Sequence, residues 1–458
     1  MLSENEKKDI KIFLGATVIL FIISLLMLFG GIYMQDVLHV TKAPLLLGIV
    51  AGILLAIPLE LWNFSDPDTL YRVMAFQDRF LIVCFGFAIG IGAILLYGMN
   101  LIVPSPNFGI KDFFVPGIII GGIIFGAGVG IAGYFPGTVW IALGQGRRDA
   151  IWALLGGLLG AFTWSVIFGP AKAFFWNTLN FGPVTWASVF GITSKIGIFG
   201  VSLIFGIILL MMFLLLPRYP EEKVKDSCGS HILGLSKNVV RFDDLINEEK
   251  EKYPKARSFV TRITNESSIW NARYVIFLGA EFTIAAVAVI ILHQIFGEST
   301  TYSWIGAQIS YLFNPSWAAS NPYFQLFGGM HIVKGVPVNN PFSEIGWEPF
   351  SDLGTFLGGL ISATLISKRF LKYKSQIPKV WEHRFGSSKT KRALGAFLGT
   401  YMVLFGARMA NGCASGHILS GNIQMAVSSF VFMIVVMLSS WMVLYGMLRL
   451  KINRRGYR

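Results

Sequence analysis

Cys413, His417 and Arg408 are the residues of this chain whose types and spacing most readily do chemistry. They lie in Gly406-Ala-Arg-Met-Ala-Asn-Gly-Cys413-Ala-Ser-Gly-His417-Ile-Leu-Ser-Gly421, where glycines punctuate an apolar run. A thiol is a polarizable neighbour and a weak hydrogen-bond donor. Arg408, little more than one helical turn before Cys413, supplies positive potential. A charge at membrane depth costs about 2.5–3.5 kcal/mol on insertion scales, so it needs a partner or a task. His417 can donate to an anion or shuttle a proton. Each residue also has a plainer reading. Cys413 is small enough to be mere packing between helices, Arg408 could pair with Glu281, and His417 could cap a helix break.

Composition decides what solvent surrounds these residues. Of 458 residues, 54% are apolar and only 14% charged, against roughly 25% charged in a soluble domain. Too few charges exist to cover a water-facing surface, so lipid is the solvent for most side chains. The net charge of +13 does not signal nucleic-acid binding, because Lys and Arg fall between long apolar runs rather than on one wettable face. Three cysteines make no disulfide framework: Cys84 is in an apolar run and Cys228 in a polar stretch. Cys228 and His231 form a C-x-x-H pair, but no second pair follows at ligand spacing. No phosphate-binding glycine loop of the G-x-x-x-x-G-K-[ST] type occurs either. Neither a metal nor another cofactor is expected.

A membrane-crossing helix needs about 20 mostly apolar residues. Runs of that kind lie near 12–34, 43–62, 80–103, 114–133, 149–168, 194–216, 271–296 and 424–448, with shorter ones near 352–367 and 393–411. That predicts about ten spans, the first of them retained rather than cleaved as a signal peptide. Basic residues in alternate loops set the orientation. The segment 217–270 holds ten Lys or Arg, 368–392 holds nine and the tail from Arg449 five, whereas the loops of the opposite side hold at most one each. Both termini are therefore expected in the cytoplasm. The chain divides into a membrane half 1–216, a basic cytoplasmic linker 217–270 with a short helix near 241–252, and a second membrane half 271–458. Glu60 and His293, near span ends, are expected to reach water by snorkelling and to have no functional part.

The glycine motif has a counterpart in the first half. Phe125-Gly126-Ala127 precedes Gly133-Tyr134-Phe135-Pro136-Gly137-Thr138 and a helix from about Ala150; Phe405-Gly406-Ala407 precedes Gly412-Cys413-Ala414-Ser415-Gly416-His417 and a helix from about Ala426. G-x-x-x-G alone is also a common packing device between membrane helices. The loop charges, however, make the first motif follow a span running inward and the second a span running outward. Two inverted halves with interrupted helices are a transporter architecture, with the solute site between the breaks. Tyr134 and Thr138 are candidate polar liners of that site.

At these motifs the chain resembles the YeeE/YedE sulfur-transport family. The run Gly412 to His417 resembles the family's glycine-cysteine-x-serine-glycine-histidine signature, and Gly133-Tyr-Phe-Pro-Gly-Thr138 resembles its GYCPGT element, with Phe135 where the family usually has cysteine. The earlier family cysteine has at best Ser65 as its equivalent, in Trp62-Asn-Phe-Ser65. The resemblance implies an all-α membrane protein that imports a small inorganic sulfur-containing anion such as thiosulfate. It also implies a prokaryotic plasma (inner) membrane, and makes a cytoplasmic sulfur-carrier protein a candidate partner. The site residues expected are Cys413, Gly412, Ser415, Gly416, His417 and Arg408 in the second motif, and Gly133, Tyr134, Phe135, Gly137 and Thr138 in the first. An enzyme is not expected. The alternatives are a membrane sulfurtransferase carrying a Cys413 persulfide and a membrane scaffold that docks partners on the linker.

Overall fold

A chain dissolved in lipid must pair its backbone polar groups within itself, and helices do so segment by segment. The computed structural model describes residues 4–40, 42–76, 78–103, 108–215, 247, 249–257, 260, 273–343 and 346–452. Most of the linker lies outside these, including Cys228 and His231. Before it come α1 (Glu4–Asp36), α2 (Leu45–Leu61), α3 (Pro67–Met74), α4 (Phe80–Met99), α5 (Val115–Ala132), α6 (Pro136–Gly144), α7 (Asp149–Lys172), α8 (Trp186–Val189) and α9 (Lys195–Leu215). After it come α10 (Arg273–His293), α11 (Thr300–Phe313), α12 (Pro315–Ser320), α13 (Pro322–Phe327), α14 (Trp347–Ile361), α15 (Lys379–Phe385) and α16 (Lys389–Met409). Wide π-helical turns over Ala414–Gly421 then lead to α17 (Val427–Ile452). Among the described residues strand is confined to two antiparallel pairs of short strands: Asp112–Phe114 with Asn180–Pro183, and Met330–Val333 with Val336–Asn339.

Helices occupy all ten intervals read as spans, but not all ten are long enough to cross a bilayer. Among the described residues eight are long and apolar enough, nine if α16 and the π-helical turns count as one span bent by 53°. The remaining interval holds α2, a 17-residue apolar helix cut short where the chain breaks after Leu61. The protein is a multi-pass membrane protein, and the bilayer is its surrounding. Two stretches expected to be plain loops are structured. Segment 63–79 contains α3, whose N-cap Asp66 accepts from the Asp68 amide. Segment 297–351 contains α11 to α13 and a β-hairpin turned by Lys334 and Gly335, both at positive φ.

Glycine sets how these helices cross. A Cβ placed on Gly121 of α5 would lie 2.7 Å from the carbonyl oxygen of Gly406 in α16, and one on Gly406 2.5 Å from that of Gly121. Gly128 approaches the carbonyl of Gly399 in the same way. The contacts rise along α5 as they fall along α16, so the two helices are antiparallel. Gly156 and Gly160 of α7 lie on the carbonyls of Phe397 and Tyr401, and Gly126 and Gly130 of α5 on those of Val436 and Ser440. Both of those crossings are parallel. The first helix of each helix–break–helix unit thus packs on the second helix of the other, and the two units run in opposite directions. Small residues permit this spacing because any side chain would push the backbones apart.

The charged loops collect at one end. Lys252 Nζ lies 2.7 Å from Asp66 Oδ1 and 2.8 Å from Asp68 Oδ2. Arg147 reaches Asp66 at 3.4 Å and Asp149 at 3.5 Å, Arg392 reaches Asp149 at 2.7 Å, and Arg369 pairs with Glu249. Arg257 of the linker pairs with Asp9 beside the N-terminus at 2.5 Å. The described parts of segments 63–79, 134–148, 217–270 and 368–392 therefore share one end. The sparsely charged loops share the other: Lys111 Nζ donates to Asn411 O, the Trp186 amide to Met425 O, and Gln424 to Gln294 O. Glu60 corrects the snorkelling expectation. It is fully buried and accepts from the hydroxyls of Ser362 at 2.5 Å and Ser367 at 2.9 Å.

Gly406→Leu should open the α5–α16 crossing, with the cost of about 1–3 kcal/mol or more seen when close-packed sites are overfilled. Thermal unfolding in detergent should show a clear drop. Gly446→Leu is the control, since a Cβ at Gly446 meets nothing within 4 Å. Equal melting of the two variants would remove the crossing from the account.

Candidate functional site

Four helix ends frame the candidate site, and one residue in the left-handed region turns the chain at each. These are Asn63 (φ 60°) after α2, Gly133 (φ 69°) after α5, Gln294 (φ 69°) after α10 and Asn411 (φ 53°) after α16. Glycine and asparagine accept this conformation most readily, which fits three of the four positions. The sequence motifs marked the second and fourth breaks. The first was marked only by Trp62-Asn-Phe-Ser65, and the third carries no glycine pattern at all.

The two motif breaks are joined through the core. The Phe135 ring stacks on Phe125 (centroids 5.8 Å apart), Phe125 meets Phe432 edge-on (5.3 Å), and Phe432 stacks on His417 (4.6 Å). A second connection is polar. Glu298, just after the third break, lays its carboxylate over Gly137 and is within hydrogen-bonding reach of the Ser415 hydroxyl. A Cβ on Gly137 would collide with that carboxylate, so the glycine makes room for it.

A cavity of about 710 Å³ lies at the sparsely charged end, against the fourth break. Arg408, Gly412, Cys413 and Gly416 line it from the second motif. Lys42, Lys111 and Arg408 bring three cations to its wall, against one carboxylate, Glu348. Lys111 is half-buried, and its stem passes beside Gly412. Burial lowers its ammonium to about 8, with Arg408 adding to the effect and Glu348 opposing it. Cys413 precedes the π-helical turns directly, so the first amides of those turns, which have no partner within a helix, face the region of the thiol. Helix N-termini of this kind attract anions.

Arg408 is 2% exposed and is held by hydroxyls and rings rather than by an acid. It donates to the Tyr323 hydroxyl, to Ser299 Oγ at 2.9 Å and to Thr300 Oγ1 at 3.2 Å, and its guanidinium lies 4.6 Å from the centre of the Phe327 ring. Its Nη2 has no hydrogen-bond partner. Glu281 is not its counter-ion: that carboxylate accepts from Ser24 at 2.8 Å. A buried guanidinium with one nitrogen unused, beside a cavity, is prepared for an anionic guest.

The other residues singled out from sequence are distributed differently. His417 is fully buried, with Nε2 3.0 Å from the Ala410 carbonyl and Nδ1 3.0 Å from Ser429 Oγ. The carbonyl can only accept, so Nε2 carries the proton and Nδ1 accepts from the serine. The ring thereby ties the fourth break together. Ser415 Oγ lies 3.2 Å from Cys413 Sγ. Thr138 Oγ1 accepts from the Phe135 amide at 2.8 Å and so caps α6. Tyr134 belongs to the charged end, where its hydroxyl donates to Asp149 at 3.0 Å. Phe135 packs between Phe64 and Phe125 and does not line the cavity. His293, expected to be idle, lines the cavity and stacks on Trp347 with centroids 4.3 Å apart. Lys111, Glu298, Glu348 and Asp352 were not foreseen. Lys111 had been visible as one of the few cations of its side.

Cys413 should react with a small anionic thiol reagent supplied from the cavity side, and Cys84 should not, because Cys84 is buried among apolar side chains outside the cavity. Mass spectrometry of labelled peptides in a Cys228→Ser background provides the readout. Labelling of Cys84 at the rate of Cys413 would contradict this access route.

Comparison with known proteins places the chain in a wider group. No curated protein matches it in sequence. The family model described as sulphur transport matches residues 63–442, from the first break to the middle of α17, and so takes in all four breaks and the cavity's cationic wall apart from Lys42. With so much of the chain matched, the protein belongs to the YeeE/YedE sulphur-transport family.

Proposed function

We propose that the protein imports a small inorganic sulfur-containing anion, thiosulfate or a close analogue, and that Cys413 and Arg408 contact it in the cavity. The observation that carries this reading is the unused Nη2 of a buried arginine on the same wall as a thiol and the start of a helix. Thiosulfate has hard, charged oxygens and a soft terminal sulfur. Guanidinium, ammonium and backbone N–H suit the oxygens, and a polarizable thiol suits the sulfur. Gly412 and Gly416 leave room for the solute beside the backbone.

The direction of transport follows from which end is open. The basic end, with the linker, is the cytoplasmic one under the positive-inside rule, and both chain ends are read as cytoplasmic in a prokaryotic plasma membrane. The cavity then faces outward. At the inner end Arg147, Arg392, Asp66, Asp149 and Lys252 form buried ion pairs, which we read as closing the route. An outward-facing site with a closed inner end is the arrangement in which an importer receives its solute. A scaffold has no need of a cationic cavity.

Cys413→Ala should leave the fold intact, since the lost sulfur is small and the neighbours are glycines, and melting should shift by less than about 1 kcal/mol. Uptake of labelled thiosulfate into reconstituted vesicles should fall by roughly tenfold or more, the equivalent of about 1.4 kcal/mol of lost contact. Cys413→Ser should retain part of the rate if passage is non-covalent, whereas complete loss in this variant favours a persulfide. A stable alanine variant transporting at the parent rate sinks the contact.

A pH profile tests Lys111. Its charge attracts the anion below about 8 and is lost as the pH on the cavity side rises through that value. Uptake should decline over that interval in the parent. Lys111→Arg, which keeps its charge, should flatten the decline; an identical profile in the two proteins excludes Lys111 as the titrating group.

A further inference from the structure

Glu298 and Asp352 occupy a place that the anion-binding reading leaves unexplained. Glu298 lies between Gly137 of the first motif and Ser415 of the second, and Ser415 Oγ is 3.2 Å from Cys413 Sγ. Asp352, on α14, is 1% exposed, and the buried Thr301 hydroxyl lies within hydrogen-bonding reach of its carboxylate. Glu298, Asp352 and Glu348 interact with one another electrostatically. The other ionisable groups facing them are Tyr302, whose hydroxyl donates to Pro136 O, and Cys413. The cations of the cavity wall, Lys111 and Arg408, lie within reach of Glu348 and of the Tyr323 hydroxyl respectively. Among the described residues no cation forms an ion pair with Asp352.

Two carboxyl groups that sense each other's charge in a buried site cannot both be ionised at small cost, because like charges repel strongly where water is excluded. An arriving anion sharpens the conflict, since its negative charge must pass a thiol hydrogen-bonded toward Glu298. A proton held by the pair removes it. We propose that Glu298 and Asp352 form a proton-binding site, and that a proton moves with the anion, so that uptake is driven by a proton gradient. The proton reaches a carboxylate from water of the cavity and returns to water on the other face, and no covalent bond of the solute changes. Ser415 is the link between this site and the solute, because its hydroxyl can bond to Cys413 and to Glu298. The proposal rests on the import of a sulfur anion argued above and adds its energy source.

Vesicles containing the full chain provide the test, with labelled thiosulfate as the solute and a lumenal pH dye. Acidifying the cavity side from about pH 7, where Lys111 already carries its charge, should raise uptake several-fold, thiosulfate should carry protons into the lumen, and a protonophore should cancel the stimulation. Replacing sodium with choline should change nothing. In Glu298→Gln and Asp352→Asn the ratio of uptake with and without the gradient should fall to one, whatever rate remains. Uptake in the parent that moves no protons, or that requires sodium, overturns the proposal while leaving the anion reading intact. Variants that keep the parent's ratio overturn the assignment to these two residues. Failure of the parent to take up thiosulfate at all overturns both readings. The proton measurement on the parent decides the matter even where a variant does not fold.

Discussion

Backbone released from a helix cannot be left facing lipid, and this constraint organises the whole molecule. Each of the four breaks therefore needs protein, or the water of the cavity, beside it. The cover comes from helices brought unusually close by glycine, with Gly121 and Gly406 resting on each other's carbonyls and Gly128 and Gly399 doing so a little further along. The α5–α16 crossing holds the ends of both helices, and hence the breaks at Gly133 and Asn411, at fixed positions in the core. Only with the breaks fixed can side chains such as His417 tie loose backbone to α17 through Ser429.

The two ends of the molecule handle charge in opposite ways. At the basic end almost every buried charge has a partner: Asp149 accepts from Arg392 and Tyr134, and Lys252 bridges Asp66 and Asp68. Breaking such pairs is expensive, so this end is stiff and closed. At the cavity end Arg408 has hydroxyls and rings about it in place of an acid. The contrast between acid-paired arginines at one end and an arginine without an acid at the other supports the anion site proposed beside Arg408.

Much of this was legible in the sequence, and the rest was hidden for identifiable reasons. Hydropathy and loop charge placed helices in all ten intervals and sorted the loops into two sets, because both signals are dictated by the bilayer rather than by tertiary detail. The second motif announced Cys413 and Arg408 through glycine spacing. Glu60 was misread because a carboxylate near a span end looks like a surface group. Its burial depends on Ser362 and Ser367, about 300 positions away. The break at Gln294 was missed because its left-handed residue is neither glycine nor asparagine, and the segment after it read as a plain loop. Glu298, Asp352 and Lys111 reach the site from three separate parts of the chain. Only the folded arrangement brings them together.

Phe135 marks where the chain departs most from its family's pattern, and the packing explains how the departure is tolerated. Its ring fills the space between Phe64 and Phe125, in a row of rings that continues through Phe432 to His417. Truncating a buried phenylalanine typically costs about 3–5 kcal/mol, so this row is a stabilising element in its own right. A cysteine at position 135 would leave that volume to be filled by its neighbours. The aromatic row and a thiol at position 135 are thus competing uses of one site, and here the row occupies it. Under the function proposed above, specificity for a sulfur solute then falls on the wall formed by Cys413, Arg408 and Lys111, where charge and polarizability meet at one helix start.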